Sequence, residues 1–229
     1  MQYNPEDILP TISTDCVIFG LDQGKLKVLL TRRAIAPKKG GWALLGGFVL
    51  KHEDLETAAR RTLKEISGMS DVYMEQVHSF GQVGRFPNRR VITVAYYALI
   101  NYTLENLKPG PDSSDVRWFE INEVPELVFD HRYILDTTLA YLQSRVRTEP
   151  IGFELLPAKF TLTQLQGLYE AVLGTNFDTR NFRKKLLKMN LLIPLEESQT
   201  GVAHRAARLY SFNNDIYQKL KAKGFSFEL

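Results

Sequence analysis

Apolar residues in the first half of the chain come in short blocks divided by polar turns. Cys16–Leu21 (CVIFGL) and Leu26–Thr31 (LKVLLT) flank Asp22-Gln23-Gly24-Lys25, a pattern that predicts a β-hairpin. Trp42–Leu50 is apolar and interrupted by glycine. Leu55, Ala58, Ala59, Thr62, Leu63 and Ile66 then recur at helical spacing and predict an amphipathic helix. Val91–Ile100 (VITVAYYALI) reads as a buried strand, and Arg117–Ile121 as another. Asp130 can cap a helix from His131 to Arg147, with Ile134, Leu135, Thr138, Leu139, Leu142 and Val146 on one face.

The pattern changes character after Thr148-Glu149-Pro150, so a boundary is expected there, between a domain at 1–150 and a second at 151–229. Thr161 and Gln164 have capping-box spacing, in which cap and third residue satisfy each other's backbone N–H. The helix they open runs to Gly174, with Leu165, Leu168, Tyr169 and Val172 inward. Asp178 or Thr179 can cap the next helix, with Phe182, Leu186 and Met189 as its apolar seam. Leu191–Leu195 reads as a strand and Arg208–Phe212 as its antiparallel partner, joined by a polar loop, Glu196–Ala207. Helix, helix, two-stranded wing is the order of a winged helix-turn-helix.

Composition adds limits. At 229 residues, with 44% hydrophobic and 24% charged, the chain has the make-up of a globular protein with room for two domains. It opens without a basic-plus-apolar leader, and no apolar run approaches the roughly 20 residues of a membrane helix. A cytoplasmic location and no membrane partner are expected. The single Cys16 excludes an internal disulfide and a multi-Cys zinc site, and its setting predicts a small buried apolar residue.

Charge is unevenly spread. Residues 1–150 hold 18 Lys+Arg against 19 Asp+Glu, and residues 151–229 hold 11 against 7. Arg180–Lys188 (RNFRKKLLK) carries five basic residues and no acidic one. Such a run is either a solvated face or, as the second helix of a helix-turn-helix, the element that enters the major groove. Thr179, Arg180, Asn181, Arg183, Lys184 and Lys188 are its candidate DNA contacts. Arginine pairs bidentately with guanine and asparagine with adenine, while lysine mostly neutralises phosphate. His204, Arg205 and Arg208 would act from the wing. A winged helix that binds protein is the alternative, and the lack of acidic residues on the helix weighs against it.

The candidate chemistry of the first domain lies in Gly47–Met69 (GFVLKHEDLETAARRTLKEISGM). It resembles a Nudix box, G-x5-E-x7-R-E-U-x-E-E-x-G-U with U a bulky aliphatic. Gly47, Glu53, Arg61, Leu63, Glu65, Gly68 and Met69 match in register, while Thr62 and Ile66 stand where the pattern has glutamate. Positions 62, 65 and 66 share one helix face. In the hydrolases that face carries carboxylates for hard divalent cations, which bridge a substrate diphosphate. With Thr62 and Ile66 there, a pocket that binds without hydrolysing is expected, with no metal and no cofactor. A Mg²⁺-dependent hydrolase of nucleoside diphosphate derivatives, working through Glu53 and Glu65, is the rival, and a regulator that also hydrolyses its effector is a third reading.

Trp42, Gly47, Phe48, Glu53, Arg61, Glu65, Arg85, Tyr97 and His131 are the candidate ligand contacts. Each has a plainer alternative where one can be named. Arg61 and Glu65 have the spacing of an intrahelical ion pair. Glu53 can bond to backbone amides of its own loop. Trp42 and Phe48 can be core residues, and His131 a structural contact. Arg85, with Arg89 and Arg90, reads as either a solvated hairpin tip or a phosphate site.

Over nearly its whole length the chain resembles the Nudix-related transcriptional regulators, the NrtR family. The resemblance rests on GWALLGGFV, the altered box, Phe80–Arg85 (FGQVGR) with VITVAYYALI, and Phe129–Leu135 (FDHRYIL). It rests further on Leu155–Gly174, Asp178–Leu187 and His204–Phe212, which plain Nudix hydrolases lack. It implies an α+β chain, a Nudix-like α/β/α sandwich followed by a winged helix, acting as a homodimeric repressor on double-stranded operator DNA under a small effector. Two effector classes occur in the family: ADP-ribose, tied to NAD synthesis genes, and sugars, notably L-arabinose. Thr62 and Ile66 remove metal ligands, Leu45 replaces a frequent proline, and Phe86 stands where relatives often have aspartate. A neutral sugar needs no metal, so a sugar such as L-arabinose is the expected effector and ADP-ribose the alternative.

Overall fold

The computed structural model describes residues 6, 8–69, 72–101, 107–201, 206–225 and 227. The chain divides into two compact units, Met1–Gly20 with Lys27–Tyr141, and Leu21–Leu26 with Leu142–Leu229. His204 and Arg205 lie outside the described residues. No helix among the described residues is long and apolar enough to cross a membrane.

The first unit is built on a seven-stranded sheet. β1 (Ile8–Asp22) and β2 (Lys25–Arg33) form the expected hairpin, longer than the apolar blocks suggested. Gln23 and Gly24 both take positive φ, 48° and 76°, the conformation that a two-residue hairpin turn requires. β3 (Trp42–Ala43) and β7 (Ser113–Glu120) pair with β2, and β4 (Leu45–Leu50) pairs with β1. β6 (Ile92–Asn101) pairs with β5 (Tyr73–Phe80), and the main strand order is β3-β2-β1-β6-β5. β1 is buried on both faces from Thr14 to Gly20, as befits a central strand.

Alternation along the strands assigns each face to a helix. Cys16, Ile18, Leu45, Tyr96 and Ala98 join Ala59, Leu63 and Ile66 of α1 (Leu55–Ser67) in one cluster. Tyr97, one residue on from Tyr96, faces the other way and meets Tyr141 of α2 (His131–Thr148) at 5.9 Å between rings. α1 starts at Asp54, whose carboxylate accepts from Thr57 N–H at 2.7 Å, and ends at Gly68 in the left-handed conformation. Cys16 is fully buried, as expected, and its thiol donates to Ala59 O.

In the second unit, α3 (Leu162–Leu173) and α4 (Thr179–Lys188) are followed by β8 (Leu192–Ser198), β9 (Arg208–Phe212) and α5 (Asn214–Lys221). The capping box of Thr161 and Gln164 forms in both directions, at 3.1 and 2.8 Å. Asp178, not Thr179, caps α4. Gln166 and Glu170 fix the turn between the helices: Gln166 Nε2 donates to Phe177 O and Thr179 Oγ1, and Glu170 Oε1 accepts from Phe177 N–H. Phe160 exchanges two backbone hydrogen bonds with Tyr210, which ties the wing to the segment ahead of α3. The element order is that of a winged helix.

Candidate functional site

Two adjoining cavities in the first unit share Gly46, Gly47, Phe48, Asp112 and Ser113 as lining. The first, about 250 Å³, is also bounded by Leu50, Arg61, Thr62, Glu65 and Ile66. The second, about 170 Å³, is bounded by Asp15, Arg33, Arg85, Phe86, Arg89, Phe129 and His131. Gly46 lies on the shared wall because the backbone passes tightly against β1. A Cβ there would collide with the Asp15 carboxylate and stand 2.7 Å from Thr14 O.

The box residues form a lock across the first cavity. Arg61 donates from Nε to Glu53 Oε2 (2.9 Å) and from Nη2 to Glu53 Oε1 (2.6 Å) and Phe48 O (3.1 Å). Glu53 also accepts from Leu50 N–H at 2.8 Å. Burial by itself would raise the Glu53 carboxyl, but the hydrogen bonds from Arg61 and Leu50 and the Arg61 charge outweigh it and hold it below its ordinary value. Glu53 and Arg61 therefore fix the loop between β4 and α1. Glu65 stands 3.9 Å from Arg61 Nη1, and burial raises its carboxyl.

The box positions do not form a cluster of carboxylates for a divalent cation. Glu53 is engaged by Arg61, the Thr62 hydroxyl donates to Ala58 O at 3.1 Å, and Ile66 belongs to the apolar cluster under α1. The box helix keeps its fold and its packing while its metal-facing stripe is reduced to Glu65.

Around the second cavity, rings and guanidinium groups alternate. Arg89 lies 4.4 Å over Phe48 and 5.4 Å over Phe86, Arg33 lies 5.2 Å over Phe129, and Phe86 meets Phe129 at 4.9 Å. Arg85 is neither a solvated tip nor a free phosphate ligand. Its side chain is 4% exposed, donates from Nε and Nη2 to the two Asp130 oxygens at 2.8 Å each, and lies 3.5 Å from Asp15. His131 accepts from Leu44 N–H through Nδ1 at 2.9 Å, which puts the proton of the neutral ring on Nε2, 3.9 Å from Asp15. Burial lowers its pKa, so the ring is neutral at pH 7.

Two of the expected contacts lie outside both cavities. Tyr97 lines neither cavity. It is fully buried and donates to Glu75, which also accepts from Tyr73 and Tyr141 at 2.8 Å each. Trp42 also lies outside the cavities, packed edge-on against Phe119 at 4.8 Å. The pattern reading missed Arg33, Phe129 and Asp112 as lining residues. Phe129 has φ 56°, a strained value for an aromatic residue, which the sequence does not announce.

On the second unit, Arg180, Asn181, Lys184, Lys185 and Lys188 are exposed on α4, with Phe182 and Leu186 buried beneath. Arg183 is half-buried and donates from Nη2 to Thr163 Oγ1 on α3 at 3.0 Å. The Thr179 hydroxyl accepts from Gln166 Nε2. Arg208 is held inside the wing, donating to Leu195 O (2.9 Å) and Glu196 (3.0 Å).

Comparison with known proteins follows this division. Residues 9–138 match the family described as NUDIX domain, and residues 152–212 the NrtR DNA-binding winged helix domain. The ADPR responsive transcriptional repressor NtrR of Acinetobacter baylyi is 35% identical over 216 residues, covering 92% of this chain and 86% of the relative. The crystal structure of Shewanella oneidensis NrtR complexed with a 27mer DNA superposes with TM-score 0.77 at 28% identity, covering 94% of this chain and 97% of that one. The NUDIX domain of the same NrtR complexed with ADP ribose superposes with TM-score 0.54 at 31% identity, covering 62% of this chain and 94% of that one.

Proposed function

This chain belongs to the NrtR family of Nudix-related transcriptional regulators, and we propose that it is a repressor whose hold on operator DNA is set by ADP-ribose bound in its Nudix-type unit. The observation that carries this reading is the state of the box. Its fold-bearing residues are in place, with Glu53 locked to Arg61, while Thr62 and Ile66 stand where the hydrolase pattern has metal-binding glutamates. The site binds its ligand and does not hydrolyse it.

ADP-ribose is preferred over the sugar that the altered box first suggested. Thr62 and Ile66 remove metal-assisted hydrolysis, but nucleotide affinity has other sources. Phe48 and Phe86 supply flat faces for a base, and Arg33 and Arg89 supply cations for a diphosphate. The likeness to an ADP-ribose-responsive repressor along most of both chains supports the same choice. We infer a homodimer on a palindromic operator, with half-sites about one or two helical turns apart. ADP-ribose that prefers one arrangement of the protein shifts the population toward or away from DNA, and DNA shifts ADP-ribose affinity by the same factor.

The test is fluorescence anisotropy of a labelled duplex from the gene's own upstream region, saturated with protein in EDTA. ADP-ribose is titrated in one arm and L-arabinose in the other. A change with ADP-ribose alone is the expected result. A change with the pentose alone would overturn the effector assignment, and no DNA binding at low or moderate salt would overturn the regulator reading.

A further inference from the structure

The exposed face of α4 carries one side chain unlike its neighbours. Leu187 is 44% exposed, whereas Leu186 beside it is buried at 2%. Leu187 follows Arg180 and Lys184 at i+7 and i+3, on the face turned away from Phe182 and Leu186. Residues 179–195 contain no aspartate or glutamate, so this face suits a polyanion. A recognition helix lying in the major groove meets base edges through side chains at i, i+3, i+4 and i+7. Here those positions are Arg180, Arg183, Lys184 and Leu187. Arg183 is drawn off to Thr163, which leaves two cations and a leucine to face the bases.

A leucine cannot pair with a phosphate or accept from a base. The apolar group that the major groove offers is the C5-methyl of thymine. We propose that Leu187 is a specificity-determining residue that packs on a thymine methyl in each half-site. The inference rests on the DNA-binding reading of this unit and adds to it a base identity that charge alone cannot supply.

The test replaces thymines of the bound duplex one at a time by deoxyuridine, which removes the methyl and keeps the base pair. Full-length wild type and Leu187→Ala are compared by anisotropy at fixed salt. Wild type loses about fourfold in affinity at one thymine per half-site, the scale of one buried methyl, and L187A loses nothing further there. DNA binding with no deoxyuridine penalty in wild type would overturn the assignment and leave the regulator reading standing. An unchanged penalty in L187A, with uniformly weaker binding, would also overturn it and would make Leu187 a contact between protein copies. Failure of wild type to bind any duplex would sink both readings. If L187A does not fold, the wild-type scan together with Leu187→Met, which keeps an apolar contact and the penalty, decides the question.

Discussion

Asp130 receives both hydrogen-bonding arms of Arg85, from Nε and Nη2, at 2.8 Å each. The pair joins the 81–90 loop to the residue just ahead of α2, beside His131 and Phe129. The Arg85 side chain is 4% exposed, so its charge depends on this partner and on Asp15. Asp130→Asn keeps one acceptor and removes the neutralising charge. It should destabilise the protein by about 2–3 kcal/mol, somewhat less than full loss of a buried ionic partner. Urea unfolding at pH 7 measures this, and an unchanged midpoint would show that Arg85 is solvated in the protein.

His131 gives stability a pH dependence of known sign. Its folded pKa lies below the ordinary 6.5 because the ring is buried. The unfolded chain therefore binds the proton more readily, and stability rises with pH through this region. The contribution is complete above 6.5 and is lost as pH falls below it. Unfolding free energy should decline between pH 7 and pH 5, and His131→Asn should flatten that decline, since asparagine does not titrate. A wild-type curve that rose on acidification in this window would contradict the burial of a neutral ring.

Much of the architecture was legible in the sequence, because its signals are local. The Gln23-Gly24 turn, the box helix with its Gly68 stop and the Thr161/Gln164 capping box each declare themselves within a few residues. β5 did not, since it is an edge strand whose side chains are mostly half-exposed and so lack an apolar rhythm. The site was only half legible. Glu53 and Arg61 follow from the box spacing, whereas Arg33 and Phe129 reach the second cavity through tertiary packing. Tyr97 misled for the opposite reason. A tyrosine on a buried strand looks available to a ligand until Glu75 is seen to accept from it, and Glu75 is 22 residues away in sequence.

Phe48 lines both cavities beneath the Arg89 guanidinium. If the base of ADP-ribose stacks there, Phe48→Ala should weaken ADP-ribose binding by about tenfold, the scale of one lost aromatic contact. Isothermal titration in EDTA gives the number. Trp42→Ala is the control, since Trp42 lies outside both cavities against Phe119, and it should alter stability with little effect on affinity. Equal losses in the two variants would remove Phe48 from the site.

Hydrolysis offers a sharper test of the box. With Glu53 committed to Arg61 and Thr62 to Ala58, ADP-ribose with Mg²⁺ or Mn²⁺ should release no AMP above background over hours. Chromatography of the reaction mixture checks it. Robust release that disappears in Glu65→Gln would make the protein a working enzyme and reverse the conclusion drawn from Thr62 and Ile66.

On α4 the two arginines should separate. Arg180 is exposed on α4, and if it reads a base, Arg180→Ala should cost on the order of 1–3 kcal/mol at one operator position, with selectivity relaxed there. Arg183 is held by Thr163, so Arg183→Ala should loosen the seating of α4 on α3 and weaken binding to every sequence alike. Thr163→Val removes the same hydrogen bond from the other side and should reproduce the uniform loss. Anisotropy against the operator and its single-base variants distinguishes the patterns. If Arg183→Ala relaxed selectivity at a single position while Thr163→Val did nothing, Arg183 would leave Thr163 on binding and read a base itself.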